Sequence, residues 1–169
     1  MFEDVRIKPE QWPAMKRDPK FEYGQMPVLD YNGKLISQSM AIMYFLGAEN
    51  KLIPSNPMEE YEMINIMCAI NDLITELGGI LFTSKTPEEK KTKTEEFIAK
   101  SMMFTFQKIE KKLDKPNRRF LVGSSISLAD FAMAGFSNSL LEKPNLKKVI
   151  ENKVPVLYKY LEEMLKSLS

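Results

Sequence analysis

The stretch MPVLDYNGKLISQSMAIMYFL, residues 26–46, decides the fold of the first part of this chain. An apolar run follows Pro27, Asn32-Gly33 interrupts it, and a second apolar run leads into a helical pattern. Asn-Gly between two apolar runs is a strong hairpin signal, because a type I′ turn needs two successive residues with positive φ. The stretch therefore predicts a two-stranded hairpin that is followed directly by a helix.

The predicted hairpin has one strand over residues 27–31 and a second over residues 34–36. Ser37 or Ser39 then caps a helix that ends near Ala48, because a serine oxygen accepts a hydrogen bond from the first free N–H groups of a helix. The pattern thus places a helix N-terminus immediately after the second strand.

The start of this helix allows two interpretations. A helix N-terminus presents unpaired N–H groups and a partial positive charge, so it attracts carboxylates or phosphates. Gln38 and Ser39 would add an amide and a hydroxyl donor, which suit a carboxylate, and the glycine-rich spacing of a phosphate-binding loop is missing. The other interpretation is a serine that caps the helix without a ligand, and the residues alone favour it.

Met26-Pro27 also allows two interpretations. X–Pro bonds are the only peptide bonds that adopt the cis form at low cost, and a cis bond here would present the Met26 backbone to an extended, peptide-like ligand. The alternative is an ordinary trans proline at the first residue of a strand, which is the commoner arrangement.

Composition narrows the classes of function. The 169 residues carry a formal net charge of +1 and 44% apolar side chains, which is typical of a globular protein and gives no electrostatic footprint for nucleic acid. The chain has no histidine, which excludes Ser-His and Cys-His catalysis and most catalytic zinc sites. It shows no metal-ligand cluster and no run of about 18 apolar residues, so we expect neither a metal nor a membrane.

The single cysteine, Cys68, fits a reducing compartment, and we expect a cytoplasmic protein. Its place on an apolar helical stripe favours a packed core thiol over a nucleophile.

Further elements surround the opening stretch. Residues 2–7 indicate a short strand, and residues 9–16 indicate one or two irregular helical turns that Pro13 breaks. Residues 49–58 carry two prolines and two asparagines, which is typical of a linker. Beyond the linker every predicted element is helical.

The second part of the chain follows the helical period. A first long helix covers residues 61–81 and is interrupted late by Gly78-Gly79, Pro87 starts a second long helix, and Pro155 opens the last one. The predicted core stripe of the second long helix is Phe97, Ile98, Met102, Phe104, Ile109 and Leu113.

The predicted fold class is α+β, with strands and helices segregated along the sequence. Residues 1–48 form a small domain that contains the hairpin, residues 49–58 a linker, and residues 59–169 an all-α bundle of about five helices.

Several motifs resemble the glutathione-binding core of cytosolic glutathione transferases. These motifs are Gly24-Gln25-Met26-Pro27-Val28-Leu29, Asn32-Gly33 and Ser37-Gln38-Ser39. The segments that resemble the sigma class in particular are Phe2-Glu3-Asp4-Val5-Arg6 and Gln11-Trp12-Pro13-Ala14-Met15-Lys16. The resemblance implies a partial thioredoxin-like N-terminal domain, an all-α helical-bundle C-terminal domain, and glutathione as the co-substrate.

The resemblance also implies how glutathione, an extended tripeptide with a carboxylate at each end, would bind. Gln38 and Ser39 would hold the γ-glutamyl carboxylate, and the Met26 backbone, presented by a cis Pro27, would pair with the cysteinyl unit. The other implied binding residues are Trp12 and Lys16 at the glycyl carboxylate, Gly24 and Gln25 along the same edge, and Asp72 from the partner subunit of a homodimer at the glutathione amine. For Asp72 the alternative is a solvated helix carboxylate.

The segment Gly123-Ser124-Ser125-Ile126-Ser127-Leu128-Ala129-Asp130-Phe131 resembles the buried capping box of the family. Ser127 can accept a hydrogen bond from the Asp130 N–H while the Asp130 carboxylate reaches back to the start of the helix. We interpret this pair as structural and not as catalytic.

Family transferases begin with a further strand and helix, whose tyrosine stabilises the glutathione thiolate, and the matched positions here begin at the second strand. We therefore expect a truncated chain with no catalytic residue of its own and with impaired activity. The implied reaction joins the glutathione thiolate to small hydrophobic electrophiles, or is a related isomerase or peroxidase reaction. The alternative is a non-catalytic glutathione-binding or structural protein, similar to the S-crystallins.

Overall fold

The computed structural model describes residues 2–115 and 118–168. The chain divides into two compact units, Met1–Asn50 and Lys51–Ser169. In the described residues the first unit holds a two-stranded sheet with two helices, and the elements of the second unit are all helical. The predicted α+β fold class is confirmed.

The hairpin of the first unit is also confirmed. Strand β1, Val28–Tyr31, pairs antiparallel with strand β2, Lys34–Ser37. Asn32 and Gly33 connect the strands with φ angles of 55° and 82°, as a type I′ turn requires. Two adjacent residues therefore set the register of the sheet.

A short helix and a longer one flank the hairpin. Helix α1, Trp12–Met15, has Pro13 in its first positions, where the missing N–H costs no hydrogen bond, so the prediction that Pro13 breaks this turn is wrong. Helix α2, Ser39–Glu49, follows β2 and has Gln38, not a serine, as its N-cap. The predicted serine cap is therefore wrong as well.

Residues 2–7 do not form the predicted strand. Phe2 and Val5 are 87% and 73% exposed, and the only strands in the described part of the first unit pair with each other. A strand is held by the backbone hydrogen bonds of a neighbour, so alternation in the sequence was insufficient here.

The described residues of the second unit form seven helical segments. Their bounds are α3, Pro57–Thr83; α4, Pro87–Phe97; a π-turn, Ile98–Met102; α5, Met103–Leu113; α6, Leu128–Leu141; α7, Pro144–Lys153; and α8, Pro155–Leu168. Helix α3 packs on α4 and α6, and α8 packs on α5, α6 and α7. Because the π-turn joins α4 to α5 without a break, these segments amount to five helices, in agreement with the predicted bundle of about five.

Helix α3 corrects two predictions. It runs through Gly78 and Gly79 to Thr83 in spite of the low helix propensity of glycine. Cys68 is exposed and so is not the packed core thiol that we expected. The residues buried on α3 are Met63, Ile66, Met67, Ile70 and Leu73.

By length and composition alone, α3 is also able to cross a membrane, with 27 residues and a mean hydropathy of 1.4 over its most apolar window. The expectation of no membrane span rested only on continuous apolar runs of about 18 residues, and an averaged window tolerates polar interruptions that such a run does not. Of this window 22% is buried, and α3 packs on α4 and α6.

The π-turn shifts the inner face of the second long helix. The Met103 N–H donates to the Ile98 carbonyl five residues back, so the helix gains about one residue at this point. Phe104, predicted to lie in the core, is 62% exposed, whereas Met103 and Phe106 are buried. A core prediction that assumes an unbroken α-helical period misses this shift.

Asp130 is fully buried in the second unit. Its Oδ2 accepts hydrogen bonds from the Ser127 N–H at 2.7 Å and from the Ser127 hydroxyl at 2.9 Å, and its Oδ1 accepts from the Leu121 N–H at 2.8 Å and from the Tyr160 hydroxyl. Ser127 and Asp130 form a capping box at the start of α6. The carboxylate thereby ties α6 to α8 and to the segment before α6.

Candidate functional site

An open cavity of about 430 Å³ lies in the first unit, where β1 begins and β2 ends. It is lined by Trp12, Tyr23, Gly24, Gln25, Met26, Pro27, Ser37, Gln38 and Ser39. These residues come from three places in the sequence: α1, the segment before β1, and the junction of β2 with α2. The fold of the unit therefore assembles the cavity from segments that are separate in the chain.

The segment before β1 forms one wall of the cavity. Gly24 has a φ of 60°, and a Cβ at this position would approach the Lys16 carbonyl oxygen to 3.2 Å, so glycine suits both the conformation and the close approach. The Gly24 N–H donates to the Phe21 carbonyl at 2.7 Å. The Met26-Pro27 peptide bond that follows is cis.

The opposite wall turns sharply from β2 into α2 at Gln38. This residue has φ 72° and ψ 113°, a conformation that residues other than glycine rarely adopt. Its Nε2 donates a 3.3 Å hydrogen bond to Gln25 Oε1, so the side chains of the two walls meet. A strained backbone maintained at the edge of a cavity points to a ligand-binding role for the turn.

The start of α2 supplies hydrogen-bond donors to the same wall. The Gln38 carbonyl accepts from the Ile42 N–H at 2.9 Å, whereas the Gln38 side chain makes no capping hydrogen bond. The N–H groups of the first turn therefore keep the partial positive charge of a helix N-terminus, and Ser39, the first residue of α2, lines the cavity.

Trp12 forms the third part of the lining. Its ring packs edge-to-face on Phe21, with ring centroids 4.9 Å apart and planes at 88°. Phe21 is only 6% exposed, so it fixes the indole at the cavity wall, where the indole N–H is a hydrogen-bond donor.

The described lining is electrically neutral at pH 7. Its one ionisable side chain is Tyr23, which is 60% exposed, and a hydrogen bond with the Glu22 carboxylate raises the pKa of the Tyr23 phenol. The phenol therefore stays protonated at neutral pH. All donors of the cavity are neutral groups: amides, hydroxyls, an indole and backbone N–H groups.

The structure brings most of the predicted binding residues together. Those that line the cavity are Trp12, Gly24, Gln25, Met26, Pro27, Gln38 and Ser39. Lys16 is exposed at the C-cap of α1, outside the lining, and Asp72 is exposed on α3 in the second unit. The roles of these two residues stay predictions.

Sequence reasoning missed two lining residues. Tyr23 directly precedes the glycine of one predicted motif, and Ser37 was considered only as a helix cap. Their position beside Gly24 and Gln38 was the available signal, but a residue's neighbours do not reveal which way its side chain points.

The arrangement suits an extended ligand with carboxylates at its ends. Amide, hydroxyl and indole N–H donors, together with a helix N-terminus, hydrogen-bond carboxylates without a counter-charge. Within residues 2–115 and 118–168, no three His, Cys, Asp or Glu side chains are placed to hold a metal ion.

Comparisons with known proteins agree with this chemistry. Residues 71–167 match the family described as "Glutathione S-transferase, C-terminal domain". Glutathione S-transferase 2 of Manduca sexta is 31% identical over 167 residues, which cover 97% of this chain and 78% of that protein. Glutathione S-transferase 1 of Ascaris suum is 32% identical over 174 residues, which cover 96% of this chain and 84% of that protein.

A solved structure supports the same assignment. Prostaglandin synthase D of Nilaparvata lugens superimposes with a TM-score of 0.77 and 26% identity, over 99% of this chain and 78% of that chain. The fold, the cavity and the relatives agree, and the chain belongs to the glutathione S-transferase family.

Proposed function

We propose that the cavity of the first unit binds glutathione and that the protein is a sigma-like glutathione transferase. The observation that supports this proposal is the meeting of Trp12, Met26, cis Pro27, Gln38 and Ser39 around one open cavity. The proposal treats the first unit as the thioredoxin-like, glutathione-binding domain and the second unit as the all-α domain.

In the proposed complex the tripeptide lies along the wall that contains Met26. The γ-glutamyl carboxylate meets the start of α2, where Gln38 and Ser39 add an amide and a hydroxyl to the backbone N–H groups. The cysteinyl unit pairs with the Met26 backbone as an added strand does. The glycyl end lies toward the indole N–H of Trp12.

The proposed reaction is attack of the glutathione sulfur on a small hydrophobic electrophile. With an aryl chloride, a carbon–sulfur bond forms, chloride leaves, and the thiol proton passes to solvent. A related glutathione-dependent isomerisation or peroxide reduction would use the same bound thiol. We assign no catalytic residue, and we expect the rate to be low for this chain.

The proposal also covers the assembly and the location of the protein. We propose a homodimer in which Asp72 of the partner subunit meets the γ-glutamyl ammonium. We also propose that the protein is cytoplasmic. Asp72 is exposed on α3, so its carboxylate is accessible for such a contact.

A non-catalytic glutathione-binding or structural role is the second candidate. One observation favours it: the described lining of the cavity contains no cationic side chain. A thiol without a nearby cation stays largely protonated at neutral pH, which slows any attack by sulfur.

The two candidates differ in two measurements on the same preparation. The enzyme predicts retention on glutathione–agarose and turnover of 1-chloro-2,4-dinitrobenzene above the uncatalysed rate, whereas the non-catalytic protein predicts retention alone. Gln38→Ala should weaken retention at least several-fold, while Gln107→Ala, the same change at an exposed position of α5, should not. Loss of retention in the unmodified protein would contradict glutathione binding in both candidates and leave only the structural role.

A further inference from the structure

The exposed face of α5 and the residues directly after it concentrate positive charge. Residues 103–119 hold six lysines and arginines against two carboxylates, a net charge of +4, whereas the whole chain carries +1. We infer that this part of the second unit is a peripheral docking surface for an anionic lipid bilayer. This basic surface consists of Phe104, Lys108, Lys111, Lys115 and Arg119. The inference does not depend on the proposed function.

The helical period places most of the basic surface on one side of α5. Phe104, Lys108 and Lys111 follow one another at spacings of four and three residues, which put them on one face over about 10 Å. All three are exposed, and Lys115 and Arg119 are exposed beyond the end of the helix. The buried residues, on the opposite face of α5, are Met103, Phe106, Ile109 and Leu113. Packing of this apolar face therefore turns the lysines toward solvent.

The cations of this segment fall into two groups. Lys112 and Arg118 lie beside Glu62 of α3, with nitrogen–oxygen distances of 4.0 and 3.4 Å. Within residues 2–115 and 118–168, the four cations of the basic surface make no ion pair. Lys108 instead lies over the Phe104 ring, with its Nζ 5.0 Å from the ring centroid. The charges of the basic surface are therefore available to an outside partner.

The two carboxylates of the segment do not cancel this charge. Glu110 accepts a hydrogen bond from the Leu157 N–H at 3.1 Å, so its carboxylate faces the start of α8 and not the basic surface. Asp114, the C-cap of α5, is exposed and offsets one of the four cations. The basic surface keeps a net positive charge.

A structural role for the lysines accounts for only part of the pattern. Cations in the last turn of a helix offset its macrodipole, and α5 has Lys111 and Lys112 there. This role does not account for Lys108, which lies before the last turn, or for the Phe104 ring, which is 62% exposed.

An anionic bilayer complements both features of the basic surface. An aromatic ring inserts at the boundary between headgroups and acyl chains, while lysines beside it meet the anionic headgroups. The expectation of no membrane rested on the absence of a long apolar run, which a peripheral contact does not need.

Co-sedimentation of the full chain with sucrose-loaded vesicles tests the inference at pH 7. We expect the partition coefficient to be at least about ten-fold higher on phosphatidylcholine vesicles with about 30% phosphatidylserine than on pure phosphatidylcholine. On the anionic vesicles it should fall at least about ten-fold between about 50 and 500 mM NaCl, because salt screens exposed charges.

Two triple variants separate the basic surface from net charge. The variant Lys108→Gln, Lys111→Gln, Lys115→Gln should lower the partition coefficient at least about ten-fold, since each lysine near such a surface contributes roughly a five-fold factor. The matched control is Lys85→Gln, Lys90→Gln, Lys91→Gln, which removes the same charge from exposed positions at the start of α4. The control should stay within about two-fold of the unmodified protein, because its basic surface is intact. Circular dichroism shows whether each variant is folded.

Phe104→Ala tests the apolar part of the surface. It should lower the partition coefficient about three-fold and leave its salt dependence unchanged, since burial of a ring is not screened by salt. Equal partition onto the two kinds of vesicle, or equal losses in the two triple variants, would overturn the inference. Binding to a single-stranded RNA without binding to the anionic vesicles would overturn it as well, because the surface would then serve a soluble polyanion.

Discussion

Asp130 shows how much of the second unit depends on a single side chain. Four donors converge on its carboxylate: the Leu121 N–H, the Ser127 N–H, the Ser127 hydroxyl and the Tyr160 hydroxyl. The donors come from the segment before α6, from the cap of α6 and from α8. Because the carboxylate is fully buried, any donor that it loses is left without water as a substitute.

We expect Asp130→Asn to lower the free energy of unfolding by roughly 2–4 kcal/mol, because an amide NH₂ would face donors that now meet an acceptor. Tyr160→Phe removes only one of the four donors and should cost about 1 kcal/mol. Urea denaturation at pH 7 gives both values. An Asp130→Asn loss no larger than that of Tyr160→Phe would show that the network is not organised around the carboxylate.

At the scale of elements, α3 and the start of α2 each hold a residue type in a conformation that it rarely adopts. Helix α3 continues through Gly78 and Gly79, where a Cβ would meet no atom within 4 Å, so no close approach requires glycine at these positions. At Gln38, in contrast, a residue with a Cβ occupies a conformation that favours glycine, beside the cavity.

Replacing Gly78 or Gly79 by alanine should therefore raise the free energy of unfolding by about 0.5–1 kcal/mol each, since alanine loses less backbone entropy on folding and has room for its methyl group. Thermal and urea denaturation measure the change. The matched control is Gly123→Ala, which should destabilise, because φ there is 57° and a Cβ would lie 2.8 Å from the Glu59 carboxylate. Destabilisation at Gly78 would show that its surroundings are not open.

Gln38 allows ligand binding and backbone conformation to be separated. Gln38→Ala and Gln38→Gly both remove the amide and should weaken glutathione binding by similar factors. Gln38→Gly should be more stable than Gln38→Ala by about 1 kcal/mol, because glycine adopts φ 72° without steric cost. Titration calorimetry and urea denaturation of the two variants test this. Equal stabilities would argue that the turn carries no strain.

At the scale of the whole molecule, the two units are stabilised by different kinds of interaction. The described core of the second unit joins several helices around apolar side chains and the buried Asp130 network, whereas the first unit buries few side chains fully. Its hairpin and α2 are held chiefly by local turns and by packing such as the edge-to-face contact of Tyr31 with Phe45, at 4.9 Å between ring centroids.

This difference predicts a pH dependence of unfolding that belongs to the second unit. Burial, followed by the nearby Asp130 carboxylate, raises the pKa of the Tyr160 phenol above its ordinary value of 10.0. Above pH 10 the unfolded chain therefore releases this proton while the folded chain retains it, so the free energy of unfolding falls as pH rises. Below pH 10 both states are protonated and the group contributes no slope.

The free energy of unfolding should fall by up to about 1.4 kcal/mol for each pH unit above 10, since one proton is involved. Tyr160→Phe should lack that part of the slope, while the exposed tyrosines contribute equally to both proteins. Urea denaturation between pH 8.5 and 11 compares the two. Parallel pH profiles would show that Tyr160 ionises equally in the folded and unfolded states.

The sequence by itself determined the features that depend on a few adjacent residues. Asn32-Gly33 specified the hairpin, because two positive φ angles are needed at neighbouring positions, and Ser127 with Asp130 specified the start of α6 in the same way. Most of the cavity lining was also found, because its residues lie in short motifs that resemble those of a known family.

Only the tertiary structure decided the features that depend on a distant partner. Residues 2–7 alternate like a strand, yet a strand forms only beside another one, and no neighbour for it lies in the described residues. The π-turn rotates Phe104 out of the core and Met103 into it, which packing decides and the helical period does not. Lys16 lies close to Trp12 in sequence but outside the cavity, because the direction of a side chain is set by the fold around it and not by its distance along the chain.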